Sequence, residues 1–206
     1  MRYQDFVIKD GHFIGHFDKM YQDSDTIPWN QDVTASSIAA TLDAELISYL
    51  DSHYNFTSAI DIGCGLGYLT NRIFSESIPS AYHRAVDISP TAIRTAKRLF
   101  PDIRFDCMDI AEPVQVAERS DLAIGIELHW YLLDAIEVFR DNLGKLADHV
   151  YIRQSLPHHS GYLGENTFPT LNAISHFWGA KYDIIMENRI RTSPLGAFIS
   201  IFAASP

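Results

Sequence analysis

Cysteine is scarce in this chain of 206 residues, in which only Cys64 and Cys107 occur. Two isolated thiols build neither a disulfide framework nor a cysteine-based metal site, and both are expected to be reduced. No apolar run approaches the roughly 20 residues needed to span a bilayer, and the first residues lack the apolar core of a signal peptide. The sequence therefore predicts a protein that stays in the cytoplasm.

Basic residues are also scarce, since 16 lysines and arginines face 26 aspartates and glutamates and leave a formal charge of −10. Such a chain repels a polyanion unless its basic groups gather on one face. Arg94, Lys97 and Arg98 form a short stripe with helical spacing, but a solvated helix face explains them equally well. We therefore expect a small-molecule acceptor, no nucleic acid and no membrane partner. The oligomeric state is left open.

Repeats and low-complexity tracts are absent, and 47% hydrophobic with 20% charged residues is the balance of one globular domain. Strand-like and helix-like segments alternate, which predicts an α/β fold with a parallel sheet and helices on both faces. Predicted strands lie near Ala59, Ala81, Ile103, Asp121 and Val150, predicted helices cover 34–52, 66–77, 90–100 and 133–147, and extended stretches cover 182–188 and 197–203.

The segment 61–67 carries an acid followed by three alternating glycines, Gly63, Gly65 and Gly67. A small apolar strand precedes it and a stretch with helix-like spacing follows, so the glycines lie where a buried strand turns into a helix. Glycine reaches backbone angles that other residues avoid and lets a ligand lie against the main chain. The segment therefore predicts a cofactor loop, although a tight turn alone would also explain the glycines.

The spacing and charge of this loop bear on its ligand. Dinucleotide loops have the pattern G-x-G-x-x-G and direct a pyrophosphate at the helix N-terminus. Here the third glycine comes one residue early, with Tyr68 at the sixth position, and Asp61 would stand close to any phosphate. S-adenosylmethionine (SAM) has no phosphate and carries an ammonium and a sulfonium group, which a carboxylate attracts. Charge therefore favours SAM over NAD.

Two further acids follow predicted strands. Asp87 ends the second predicted strand, 26 residues after Asp61, and Asp109 ends the third. With the glycine loop, these acids make the chain resemble class I SAM-dependent methyltransferases over roughly residues 56–155. The resemblance implies a Rossmann-like, seven-stranded, mostly parallel sheet with helices on both faces and a C-terminal antiparallel hairpin. It also implies a single SAM-binding domain over 1–206.

The resemblance implies a set of cofactor contacts as well. Asp87 would accept hydrogen bonds from both ribose hydroxyls, and Asp109 would meet the exocyclic amine of adenine. Met108 and Ile110 would sandwich the base. The other cofactor-binding candidates lie in the glycine loop and next to Asp87: Asp61, Gly63, Cys64, Gly65, Gly67 and Ile88. Each acid has a simpler explanation by itself, since Ser89 could merely cap a helix after Asp87, but their order along the chain favours a site.

The fourth predicted strand opens into Glu127-Leu128-His129, from which such enzymes often reach towards the methyl acceptor. Methyl transfer is an in-line displacement, so alignment matters most, and a base matters where the nucleophile carries a proton. His129 is the preferred base, because it follows a strand at the carboxyl end of the sheet. Glu127 would position the acceptor or the methionine end of SAM. His16 is a second candidate base, and a histidine hydrogen-bonded in a helix-start turn is the alternative for His129.

Residues 1–33 are expected to form a lid, because the aromatic and histidine-rich run within 6–31 is too polar for a buried helix and transfer requires water to be excluded. The chain resembles here the nodulation N-methyltransferases that act on chitooligosaccharides, in which a Pro-Trp pair helps to hold the methionine end of SAM. Trp29 is the candidate for this contact, with Tyr21 beside it. A hydrophobic plug between the arm and the core would explain Trp29 equally well.

Residues 156–177 interrupt the path between the fifth predicted strand and the final hairpin, and we expect them to cover the acceptor pocket. They contain adjacent histidines, His158 and His159. Neighbours on one backbone point in different directions, and no third ligand is evident, so no metal site is predicted.

The sequence thus predicts methyl transfer from SAM to an oxygen or nitrogen of a small polar metabolite, with S-adenosylhomocysteine (SAH) as the product. The nodulation-type resemblance favours a sugar or glycan precursor, and a compact acceptor is equally compatible. The alternative is a noncatalytic SAM-binding or partner-regulating module. An aminopropyl transferase is disfavoured because the segment 127–130 is not the acidic motif expected for a polyamine. An NAD oxidoreductase is disfavoured by the early third glycine.

Overall fold

The computed structural model describes residues 2–9, 12–115, 118–157, 160–193 and 196–206. The chain forms two compact units: unit 1 ends at Asp109 and unit 2 begins at Ile110. Unit 1 carries the N-terminal arm and the glycine loop, and unit 2 carries the segment after the fourth predicted strand and the final hairpin.

The arm of unit 1 contains more regular structure than the sequence indicated. It forms a small antiparallel hairpin, in which Ile8 pairs with Phe13, and then a helix over Phe17–Asp23. The run within 6–31 was expected to be too polar for a buried helix. Met20 of this helix is nonetheless fully buried, because one amphipathic turn needs only a narrow apolar stripe. The elements of the arm are β1 Ile8–Lys9, β2 His12–Phe13, α1 Phe17–Asp23 and α2 Gln31–Thr34.

The rest of unit 1 alternates strand and helix as predicted. Its three strands are parallel in the order β5-β4-β3. The helix predicted over 34–52 begins later, at Ile38, because the Ser37 hydroxyl accepts a hydrogen bond from the Ala40 N–H and so caps it. The elements are α3 Ile38–Tyr54, β3 Ser58–Ile62, α4 Tyr68–Ser77, β4 Tyr82–Asp87, α5 Pro90–Leu99 and β5 Arg104–Cys107.

Unit 2 holds four strands in the order β6-β7-β9-β8. β6 and β7 are parallel, whereas β9 pairs antiparallel with both β7 and β8. The sequence missed the helix over Leu171–Gly179, because it lies in the stretch where no motif could be aligned; its buried Trp178 anchors it. The elements are β6 Ser120–Ile126, α6 Ile136–Leu146, β7 Ala147–Pro157, α7 Leu171–Gly179, β8 Asp183–Ser193 and β9 Gly196–Ala204.

Strands β3 to β9 make the seven strands of the predicted sheet, and its C-terminal pair is an antiparallel hairpin. The predicted Rossmann-like α/β fold class is therefore confirmed. The single domain over 1–206 stays a prediction. Within the described ranges, no helix combines the length and the apolar character that crossing a bilayer requires.

Candidate functional site

The glycine loop joins β3 to α4 in a conformation that only glycine adopts easily. Gly63, Gly65 and Gly67 have φ values of 72°, 53° and 84°, in the left-handed region where a side chain is strained. Gly67 is the last of them and stands at the N-terminus of α4. The loop therefore turns through backbone conformations that residues with a Cβ avoid, and Gly63 is its exposed residue while residues 64–67 are buried.

Every backbone N–H from Gly63 to Gly67 donates to a protein acceptor. Two of these donors bond to the Val86 carbonyl, and the Gly67 N–H bonds to the Cys64 carbonyl. The Gly65 N–H donates to Asp87 and the Leu66 N–H to the side chain of Gln31. A pyrophosphate needs such N–H groups free, so this loop is not arranged as a phosphate cradle.

Asp87, at the end of β4, lies directly against the loop. One carboxylate oxygen accepts the Gly65 N–H at 2.8 Å and the other accepts the Ser89 N–H at 2.9 Å. Burial raises the pKa of this carboxyl, while these two hydrogen bonds oppose the shift. Ser89 also caps α5 by accepting the Ala92 N–H, so the helix-opening explanation for this segment holds beside its position in the site.

Asp61 lies inside the fold, beneath the surface of unit 1. It is 7% exposed, and its carboxylate accepts a hydrogen bond from the Thr70 hydroxyl of α4. Burial and the neighbouring Asp87 raise the pKa of Asp61 to about 7, which Thr70 only partly offsets. Burial also raises the pKa of the Cys64 thiol, and both aspartates add to that shift. Asp61 and Asp87 therefore make the surroundings of the loop acidic, with Asp61 about half-ionised at pH 7.

The turn after β5 reaches Asp87 through the backbone, because the Met108 N–H donates to the Asp87 carbonyl at 3.0 Å. Met108 is half-buried, while Ile88 and Asp109 are exposed. Unit 1 thus brings the loop glycines, Asp87, Ile88 and Met108 to one edge of its sheet. Ile110 belongs to unit 2, where it is buried and its carbonyl accepts from Asn142.

The arm covers the glycine loop from the outside. Gln31 accepts the Leu66 N–H at 2.8 Å and donates to the Tyr21 hydroxyl at 2.8 Å. A Cβ on Gly65 would lie only 2.5 Å from the Gln31 amide and 2.7 Å from the Tyr21 hydroxyl. Tyr21 therefore lies at the loop, and its contact with the cofactor stays a prediction. Sequence reasoning missed Gln31, since a single glutamine after Pro28-Trp29-Asn30 carries no recognisable signal.

Trp29 lies in an aromatic cluster of the arm. Its ring centroid is 5.5 Å from that of Tyr3, 6.2 Å from Tyr21 and 6.4 Å from Phe17. This packing supports the plug explanation, and through Tyr21 it also ties Trp29 to the loop. His16 precedes α1 and has an exposed side chain.

Glu127 of unit 2 has a strained backbone, with a φ of 59° directly after β6. Its carboxylate pairs with Arg153 and accepts hydrogen bonds from the Ser155 hydroxyl and the Ser155 N–H. Arg153 is 7% exposed. Three donors from β7 thus hold one carboxylate at the carboxyl end of the parallel strand pair, where open α/β sheets bind ligands.

His129 is 1% exposed, and neither ring nitrogen makes a hydrogen bond of good geometry. Burial lowers the pKa of His129 to about 3, although the backbone of Ser155 opposes the shift. The ring packs against Trp130 at 3.9 Å and against Phe168 at 5.9 Å. His129 is therefore neutral at pH 7, and its role as a base stays a prediction that this burial disfavours.

In the described part of the stretch 156–177, residues 162 and 164 pack on the segment after β6. Tyr162 meets the Trp130 ring edge-on at 5.5 Å and its hydroxyl donates to the Phe168 carbonyl. A Cβ on Gly164 would lie 3.0 Å from Leu133, so this turn also packs closely. The adjacent histidines, His158 and His159, lie outside the described residues. Within the described ranges, no group of three or more His, Cys, Asp or Glu could hold a metal ion.

The residues of unit 1 fit SAM. Gly65 has no Cβ, the polar groups of Gln31 and Tyr21 lie directly beside it, and the half-buried carboxylate of Asp87 contacts the loop. In their ionised forms, the two acids at the loop attract a sulfonium and an ammonium and repel a phosphate. The Asp87 oxygens can also accept hydroxyl donors, because a carboxylate has about four acceptor positions and the backbone uses two.

Comparison with known proteins agrees with this fit. Residues 59–146 match the family model described as a methyltransferase domain. A malonyl-[acyl-carrier protein] O-methyltransferase of Acetivibrio thermocellus is 32% identical over 111 residues, which cover 53% of this chain. They cover 36% of that relative, so the chain spans only about a third of its length.

Two solved structures have the same fold at 17% identity. The N-methyltransferase NodS from Bradyrhizobium japonicum, in complex with SAH, has a TM-score of 0.66, with 88% of this chain and 93% of that chain covered. The plantazolicin methyltransferase BpumL, in complex with a pentazolic desmethyl analogue and SAH, has a TM-score of 0.62, with 86% and 89% covered. The likeness shows the fold and extends well beyond the glycine loop.

Proposed function

We propose that the chain is a class I SAM-dependent methyltransferase, which its match to a methyltransferase family model and its fold support, and that it transfers a methyl group from SAM to an oxygen or nitrogen of a small polar acceptor. One observation carries the cofactor part of the proposal. The glycine loop uses its own N–H groups internally and stands between two acids, Asp61 and Asp87. That arrangement suits a cation and a ribose, and it does not suit a pyrophosphate.

Bound SAM would supply an electrophilic methyl group. The residues of the chain would hold SAM and orient it. Asp87 would bind the ribose hydroxyls, and the loop glycines would let the ligand lie against the main chain. Met108, Ile110 and Asp109 remain the candidates for the adenine. The aromatic cluster around Trp29 would exclude water from this side of the loop.

We propose that the residues after β6 bind and position the acceptor. Glu127 is held in a strained conformation by Arg153 and Ser155, and strain of this kind persists where a function requires it. Glu127 would therefore position the acceptor. His129, neutral and buried, would act as a hydrogen-bond partner more readily than as a base that cycles protons. His16, exposed on the arm, remains the second candidate base.

The identity of the acceptor is the finer part of the proposal. The proteins that this chain resembles act on different atoms, since a sequence relative is named an O-methyltransferase and a structural neighbour an N-methyltransferase. A sugar or glycan precursor follows from the nodulation-type resemblance alone, and a compact acceptor fits equally. Nucleic acid is disfavoured by the charge of −10. We also propose a cytoplasmic location.

Calorimetric titration with SAH beside NADH tests the cofactor. Micromolar SAH binding without NADH binding supports the proposal, and the reverse result would revive an NAD oxidoreductase. Transfer is then measured as SAH release from SAM across alcohols, sugars, amines and carboxylic acids. Glu127→Gln should lower transfer without changing the SAH affinity. Glu137→Gln, at an exposed carboxylate that also pairs with an arginine, Arg140, serves as the matched control and should change neither. SAH binding without turnover on the whole panel would favour the noncatalytic module.

A further inference from the structure

Gln31 is the one arm side chain that contacts the glycine loop by accepting one of its backbone N–H groups, within the part of the chain that the structure describes. Its amide oxygen accepts the Leu66 N–H and its amide nitrogen donates to the Tyr21 hydroxyl. Both groups lie within 2.7 Å of the position that a Cβ on Gly65 would take. A ligand on this side of the loop therefore either contacts the Gln31 amide and the Tyr21 hydroxyl or displaces them.

The turn that delivers Gln31 is strained. Trp29 and Asn30, the two residues before it, have φ values of 54° and 48°, and two consecutive non-glycine residues in the left-handed region are costly. Strain persists only where the surroundings impose it, and it gathers at ligand clamps. The strained turn thus supports a functional reason for placing Gln31 on the loop.

A second contact keeps the arm in place independently of Gln31. Asp18 of α1 accepts hydrogen bonds from the Ser89 hydroxyl at 2.7 Å and from the Thr91 N–H at 2.8 Å. These donors lie at the start of α5, just after Asp87. Because Asp18 holds the arm there, a ligand can reach the Gln31 amide without detaching the arm, and contact is favoured over displacement.

The chemistry of the amide suits one part of SAM. A glutamine both donates and accepts, as a zwitterionic amino-acid group requires: its carboxylate accepts and its ammonium donates. We propose that Gln31 is a cofactor-binding residue that contacts the amino-acid end of SAM and thereby couples cofactor binding to docking of the arm. The inference rests on the proposed function, because it takes SAM as the ligand of the loop.

The test compares SAH with 5′-methylthioadenosine, which has the same adenosine and sulfur but no amino-acid group. In calorimetry, Gln31→Ala should lower the affinity for SAH about ten-fold, the scale of a lost hydrogen bond to a charged group. The affinity for methylthioadenosine should stay unchanged. Gln31→Met keeps the length of the side chain without its polar amide, and it should weaken SAH binding as Gln31→Ala does. Gln4→Ala, at an exposed glutamine elsewhere on the arm, is the matched control and should change neither affinity.

Hydrogen exchange of residues 17–31 supplies the second readout. SAH should slow exchange of these residues in the unmodified chain and slow it much less in Gln31→Ala. Methylthioadenosine should leave their exchange unchanged in both proteins. Equal weakening of both ligands would mean that Gln31 only supports the loop, and tighter SAH binding would mean that it competes for Leu66; either result overturns the inference. If the folded, unmodified chain bound neither ligand, the proposed function itself would fail, and the inference with it.

Discussion

The carboxylate of Asp87 accepts a hydrogen bond of 2.8 Å from the backbone N–H of Gly65. This contact joins the end of β4 to the middle of the glycine loop, 22 residues earlier in the chain. The same side chain binds the Ser89 N–H with its other oxygen. One residue thus fixes the loop, the start of α5 and the proposed ribose contact together.

Replacing Asp87 should therefore weaken cofactor binding more than the loss of a single contact with the ligand would. In Asp87→Asn, one oxygen becomes an NH₂ group that faces a backbone N–H, so a donor meets a donor. We expect SAH affinity to fall by about ten-fold or more, since hydrogen bonds to a charged group are worth about 1.5–3 kcal/mol. Calorimetry measures the change. Asp106→Asn, at a carboxylate that pairs with Arg104 on β5, is the control. Equal affinities in the two variants would contradict the assignment.

The buried acid and the buried histidine should affect stability with opposite pH dependence. The pKa of Asp61 rises from 3.8 to about 7, so the folded chain binds more protons between about pH 4 and 7, and this group's contribution to stability falls as pH rises through that window. The pKa of His129 falls from 6.5 to about 3, so the unfolded chain binds more protons there, and its contribution rises with pH. Each slope approaches about 1.4 kcal/mol per pH unit.

Single variants should expose these opposing slopes. In denaturant unfolding of the ligand-free chain, Asp61→Asn should steepen the loss of stability on acidification below about pH 6.5, because the His129 contribution remains alone. His129→Phe should instead leave a chain whose stability falls as the pH rises towards 7. Parallel curves for both variants and the unmodified chain would show that neither group is shifted.

Ionisation of Asp61 should also set the preference for SAM over SAH. Only SAM carries the sulfonium, so its binding gains from a charged Asp61, whereas the uncharged sulfur of SAH gains little. Because the pKa of Asp61 is about 7, we expect the ratio of SAM to SAH affinity to rise between about pH 6 and 8 and then level off. Competition calorimetry at several pH values measures the ratio. Asp61→Asn should flatten the curve, and an unchanged rise in that variant would sink the explanation.

Gly65→Ala should release the arm from the loop. The new Cβ would lie 2.5 Å from the Gln31 amide at a φ of 53°, whereas Gly161 has a φ of 78° with nothing within 4 Å of such a Cβ. Gly161→Ala therefore measures backbone strain alone, about 1–2 kcal/mol. We expect faster hydrogen exchange across residues 17–31 in Gly65→Ala only. Similar exchange in the two variants would mean that the arm does not depend on this contact.

The Glu127–Arg153 pair should show strong coupling in stability. Arg153 is 7% exposed, so removing its carboxylate leaves a buried charge without its partner. A double-mutant cycle of Glu127→Gln and Arg153→Met should give a coupling energy of about 2 kcal/mol or more. The same cycle at the exposed Arg2–Asp5 pair should give less than about 1 kcal/mol. Equal couplings would show that Glu127 is held no more firmly than a surface residue.

Local pattern was sufficient for the strands of the seven-stranded sheet, the order of the acids and the capped start of α5. Each depends on neighbours in sequence: an apolar run defines a buried strand, and Ser89-Pro90 opens a helix. In a parallel sheet with helical crossovers, the strand ends meet at one edge, so Asp87 and the glycine loop had to approach each other. Helix boundaries moved by a few residues, as at Ile38, because the cap at Ser37 and not the apolar stripe decides where the helix begins.

The sequence by itself determined the fold class and the resemblance to class I SAM-dependent methyltransferases, because the period of apolar residues and the glycine spacing encode strand, turn and helix locally. Only the tertiary structure decided that the Gln31 amide lies beside Gly65, that Asp18 holds the arm at α5, and that His129 is buried. The reason is physical: these placements arise from contacts between residues far apart in the chain, and they depend on how the arm and the strand ends pack, which no local period records.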